Sequence, residues 1–121
     1  MTEIGNAQTA VRAAERILTA RADDTESFIW TSMSVQPLAA ILLTTASQNT
    51  GLLDLDQARQ VAEVTDVRIT GDRCASWIEA ALKCPDKPLG EYLARALSMP
   101  VRQRDSIRAV MLQALDAALA S

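Results

Sequence analysis

Pro37-Leu38-Ala39-Ala40-Ile41-Leu42-Leu43, continued by Thr44-Thr45-Ala46-Ser47-Gln48-Asn49-Thr50-Gly51, is the segment from which the rest of the chain can be read. A proline suits the first turn of a helix, where its missing N–H costs little, and Gly51 supplies a left-handed residue to end one. Between them lies the most apolar run in the sequence, so this helix belongs at the centre of the core. The polar run Ser47, Gln48, Asn49 and Thr50 then falls on its last turn.

Outward from this helix the same three-to-four-residue spacing recurs. Upstream, Ile4, Ala7, Val11, Ala14 and Leu18 mark a first amphipathic helix over 6–21. Asp23, with Glu26 three residues later, resembles a capping box introducing a short second helix with Phe28, Ile29, Trp30 and Met33 on an apolar face. Downstream, Asp54 with Gln57 caps a helix carrying Leu55, Ala58, Val61 and Ala62. Residues 65–70 read as a loop with Val67 and Ile69 turned inward, because one strand without a partner makes no sheet. A fifth helix is expected from Thr70 or Gly71, with Cys74, Trp77, Ile78, Ala81 and Leu82 apolar, ending at Pro85. Leu89, Tyr92, Leu93, Ala96 and Leu97 mark a sixth, stopped before Pro100. A seventh, near 105–120, carries Ile107, Val110, Met111, Ala114, Leu115, Ala118 and Leu119. The connections are short and no repeat is evident, so the expectation is one all-α domain over 1–121, a single compact bundle of six to seven helices.

Composition narrows the chemistry. The chain has 121 residues, of which 49% are hydrophobic and only 3% aromatic, so its apolar content is mainly Ala, Leu, Ile and Val. It contains no histidine, which removes every Ser-His-Asp or Cys-His triad and every imidazole metal ligand. No glycine-rich phosphate loop is present, and the spacing Asp54-Leu55-Asp56 lacks the glycine and distal Glu of a calcium loop. Two cysteines are too few for structural zinc, and Cys74 and Cys84, if carried on one helix, stand too far apart for a disulfide. The expectation is a non-enzyme that needs neither cofactor nor metal.

Fifteen acids against twelve bases give a net charge of −3, which does not draw a polyanion. Residues 57–80 match a helix-turn-helix only in part. Ala62 and Val67 fit, but Thr65 and Asp66 stand where an apolar residue and a glycine are usual, and Asp72 where a buried residue is expected. Arg68 and Arg73 are then solvated charges. No basic leader and no apolar run near 20 residues is seen, so a cytoplasmic protein with no membrane contact is expected.

Four groups of residues remain as candidates for partner contact. Asp23 with Asp24, and Asp54 with Asp56, concentrate acid at helix starts, where capping is the simplest role and steering toward a basic groove the functional one. Arg102, Arg104 and Arg108 form a basic cluster before and within the last helix, either paired with Asp105 or Asp116 or forming an anion-binding rim. Gln48 and Asn49 complete the set.

The run Leu43-Thr44-Thr45-Ala46-Ser47-Gln48-Asn49-Thr50-Gly51-Leu52 resembles a stretch of the small all-helical phage anti-CRISPR proteins that occupy the helicase-nuclease recruited by type I CRISPR systems. The likeness covers 43–52, in the first half of this chain, and lies near the C-terminus of its counterpart. It implies a non-catalytic inhibitor whose protein partner is a CRISPR-associated nuclease or effector complex, blocked by occlusion without direct contact to nucleic acid. Two other classes suit the same composition: a structural adaptor or chaperone-like subunit of a bacterial assembly, and a small DNA-binding regulator.

Overall fold

A computed structural model describes residues 3–19, 25–65 and 76–120, with backbone only at 25–28. Among them are six helices and no strand: α1 (Ala7–Thr19), α2 (Thr25–Ser47), α3 (Leu55–Glu63), α4 (Trp77–Lys83), α5 (Lys87–Leu97) and α6 (Val101–Ala120). The fold is an all-α bundle.

The central helix is longer than the sequence suggests. Pro37 lies inside α2, so the expected second and third helices are one element of 23 residues. Proline removes the amide that would bond to the carbonyl of Met33 and crowds that turn, yet every residue from 37 to 46 is buried. Burial of the apolar run on all sides outweighs the local cost, and α2 packs against each of the other five helices. Leu38, Ile41 and Leu42 are fully enclosed as expected. The merger also makes Ile29–Ser47, 19 residues, long and apolar enough to cross a membrane by length and composition, although 67% of it is buried inside the bundle.

Three buried hydroxyls of α2 bond to its own backbone. Ser34 donates to the Trp30 carbonyl at 2.6 Å, Thr44 to Ala40 at 2.7 Å and Thr45 to Ile41 at 2.8 Å. Thr44 also reaches the Ala80 carbonyl of α4 at 3.3 Å, which ties the two helices across the core.

α2 ends at Ser47, so Gln48 and Asn49 stand in the turn that follows rather than on its last turn. Thr50 and Gly51 both take positive φ, 55° and 84°, and the Gly51 amide returns to the Ala46 carbonyl at 2.7 Å. This is a Schellman-type stop that begins one residue before the glycine. The Ile4 amide donates to the Gly51 carbonyl at 2.8 Å, and Glu3 bridges Leu52, so the N-terminal segment docks on this turn and buries Ile4.

Capping organises the remaining helices. Asn6 Oδ1 accepts from the Thr9 amide at 2.9 Å, and Thr9 Oγ1 accepts from the Asn6 amide at 3.2 Å, starting α1. Asp54 accepts from the Gln57 amide at 3.0 Å, Ser76 from Glu79 at 3.3 Å and Asp86 from Leu89 at 3.1 Å. The end of α3 meets the start of α4 directly: the amides of Trp77 and Ile78 donate to the carbonyls of Val64 and Thr65, and the Trp77 indole N–H donates to Ala62 at 2.9 Å. Trp77 is a core anchor.

Four expectations are corrected here. α4 begins after a Ser76 cap, not at Thr70 or Gly71, and Cys84 is its C-cap; a single helix holding both cysteines does not form, and Cys74 lies outside the described residues. α6 starts at Val101, directly after Pro100, which takes Arg102 and Arg104 into its first turn instead of the preceding loop. Proline ends α5 and still offers its carbonyl, which accepts from the Arg104 amide at 3.0 Å. Leu82, Tyr92 and Leu119, read as inward-facing, are exposed, as are Ile29 and Met33. Helical period gives an apolar stripe but not its width, and each of these residues stands at its edge.

Candidate functional site

The acidic and basic residues singled out in the sequence do not converge. Asp54 is committed to its cap, while Asp56 is exposed in the first turn of α3. Asp23 and Asp24 lie outside the described residues. Arg102 is exposed at the other end of the α3–α6 pair, because α3 and α6 run antiparallel: Arg59 pairs with Asp116, and Arg108 Nε donates to the Glu63 carbonyl at 2.7 Å. α6 has 20 residues, so its ends are about 30 Å apart at 1.5 Å per residue. No single partner pocket can gather Asp54, Asp56, Arg102 and Arg104.

The ion pairs of this face differ from those expected. Asp116 pairs not with the Arg102–Arg108 cluster but with Arg59, at 2.8 Å, and Arg59 also reaches Glu63 at 2.7 Å. Hydrogen bonding to Asp116 raises the Arg59 pKa above its ordinary value, so this guanidinium stays charged throughout the accessible pH range. Arg104 Nε is buried and has no hydrogen-bond partner among the described residues. Glu79, buried in the first turn of α4, is held by Lys83 at 3.5 Å one turn later.

The segment 43–52 is buried only over its helical half. Leu43, Thr44, Thr45 and Ala46 are buried, and Asn49 is half-buried, its amide donating to the Leu52 carbonyl at 3.2 Å. Ser47 and the turn that follows it reach solvent. Comparison with known proteins finds no matching family model, curated protein or solved structure.

The arrangement best suited to hold a ligand lies between α1 and α2. A groove of about 850 Å³ is lined by Arg12, Glu15, Arg16 and Thr19 on one wall and by Thr31, Ser32, Val35 and Gln36 on the other. Arg12 and Arg16 are one helical turn apart and share a face. Neither belongs to an ion pair among the described residues.

On α2, Ile29, Ser32, Met33 and Gln36 follow the i, i+3, i+4, i+7 pattern of one helical stripe, so the apolar pair stands on the shoulder of the groove. Ile29 is 56% exposed and Met33 37%. A ligand seated here meets guanidinium and hydroxyl donors inside and apolar surface at the rim. No cluster of three or more metal-ligating side chains occurs among the described residues.

Arg12 and Arg16 share the exposed side of α1. That this side opposes Thr31 and Ser32 depends on how α1 crosses α2, which small Ala10, Ala13 and Ala14 permit at close range. Pairing Ile29 with the core was the natural reading of an apolar residue beside Trp30, and the structure assigns the core only to half-buried Trp30.

Proposed function

We propose that this protein is a non-catalytic binding protein that inhibits a larger enzyme by covering part of its surface, in the manner of a phage inhibitor of a CRISPR effector or nuclease. The observation that carries the reading is the exposed Ile29–Met33 shoulder beside the α1–α2 groove. Large apolar side chains at neighbouring surface positions, next to charged and hydroxyl groups, are what a protein interface uses: an apolar centre that excludes water and polar groups that set orientation. The accessible surface is 6727 Å², so a typical interface of about 800 Å² per partner would occupy about one-eighth of it. A domain of this size covers that area without needing a reacting group.

The type I helicase-nuclease is the partner suggested by the resemblance over 43–52. The helical half of that stretch, 43–46, is buried, and we propose the α1–α2 face as the contact instead. The test is a plasmid-interference assay in bacteria carrying an active type I system. Expression of the protein should restore transformation by a targeted plasmid, and Ile29→Asp with Met33→Asp should abolish the protection while leaving the helical circular dichroism spectrum unchanged. Absence of protection by the wild type would refute the CRISPR reading, and full protection by the double variant would refute the assignment of the face.

A further inference from the structure

We infer that the α1–α2 groove takes a carboxylate side chain from an extended peptide segment of the partner, with apolar residues flanking that carboxylate on the Ile29–Met33 shoulder. The inference rests on the protein-binding reading and adds the chemistry of the recognised segment. Two guanidiniums one turn apart, Arg12 and Arg16, are free of ion pairs among the described residues, and they line one wall of the groove in a chain whose net charge is −3. A locally basic cleft on an acidic protein selects an acidic group for that cleft and disfavours a polyanion elsewhere on the surface.

The opposite wall carries hydroxyl and amide groups. Thr31 is only 6% exposed and lines the groove. A threonine hydroxyl is a donor that a carboxylate oxygen accepts from. Ser32 and Gln36 add donors nearer the mouth.

The size of the groove and its borders favour a peptide over a free anion. About 850 Å³ is the volume of a site for a sizeable ligand rather than for one small ion. Val35 lies within the groove, and Ile29 and Met33 stand outside it, so apolar contact continues past the polar centre. Glu15 shares the wall with the two arginines and opposes a second negative charge, which points to a single carboxylate among apolar neighbours rather than to an acidic run.

The experiment titrates the full-length protein into a fluorescein-labelled twelve-residue peptide with one central Glu between leucines, and into the same peptide with Gln in its place, at low and moderate salt. The Glu peptide should bind more tightly by at least about tenfold, the scale of a charge-assisted hydrogen bond. Arg12→Gln with Arg16→Gln should remove that preference, Thr31→Val should reduce it, and Glu15→Gln should tighten binding. Equal affinity for the two peptides, no binding at millimolar peptide, or an unchanged preference in the double arginine variant would overturn the inference. Displacement of the peptide by equimolar inorganic phosphate, or tighter binding of a single-stranded oligonucleotide, would overturn it in favour of a general oxyanion or nucleic-acid site. The interference assay separates this outcome from the function itself. Protection that survives Arg12→Gln with Arg16→Gln leaves the binding reading standing without the groove, whereas peptide binding without protection leaves the groove standing without the CRISPR partner.

Discussion

Replacing Gly90 by Ala should destabilise this protein, although alanine is the better helix former by about 1 kcal/mol. The position is helical and buried, and a Cβ built there would lie 2.8 Å from the Ala81 carbonyl oxygen and 3.3 Å from Cys84 Cβ. The first of these is backbone of α4, so no side-chain rotation relieves the overlap and the two helices must separate by several tenths of an ångström. Forced overpacking costs about 1–3 kcal/mol. Taking about 2 and subtracting the helix-propensity gain of about 1 leaves a net loss near 1 kcal/mol. In urea denaturation followed by circular dichroism, with a slope of about 1.5 kcal/mol per molar, the midpoint should fall by roughly 0.7 M at unchanged slope. Ala94→Gly, at an exposed position of the same helix, is the control and should also cost about 1 kcal/mol, so both exchanges between these residue types lower stability. A rise of about 1 kcal/mol in Gly90→Ala would refute the close approach of α4 and α5.

Leu42→Ala removes a side chain with no exposure from the centre of α2 and should cost about 2–5 kcal/mol, whereas Gln48→Ala, in the half-buried turn, should cost much less; equal losses in the same titration would mean that the buried face is misplaced. Thr50→Asn should raise the thermal midpoint by a few degrees, because a β-branched residue at φ 55° is strained by about 1 kcal/mol relative to one that tolerates the left-handed region; an unchanged or lower midpoint would count against that turn geometry. Asp54→Ala should lose about 1 kcal/mol as the cap on the Gln57 amide disappears, while Asp54→Asn should lose little. If Asp54 and Asp56 also steer association, the pair of Asn substitutions should slow partner binding at low salt, and wild-type rates would sink the steering idea.

Much of the bundle could be read from local chemistry because its causes are local. The Asp54 cap and the spacing of Ala58, Val61 and Ala62 depend on neighbours within one or two helical turns, and the structure reproduces them. The unbroken burial from 37 to 46 follows similarly from an apolar run with no polar side on which a solvent face could form. Pro37 reads locally as a helix start yet lies inside α2, because its local preference is small beside the burial of the helix around it.

What required the folded chain was every property set by the crossing of two helices. The separation of Asp54 from Arg102, the exchange of Asp116 to Arg59, the exposure of Ile29 and the meeting of Arg12 and Arg16 with Thr31 all join residues on different elements. Helical period states which residues share a face. Only packing states which face finds a neighbour and which is left to solvent, since α1's alanines, α2's length and Gly90 together set how closely and at what register the helices approach. The α1–α2 groove is therefore a property of the tertiary arrangement, built from residues that separately read as ordinary helix surface.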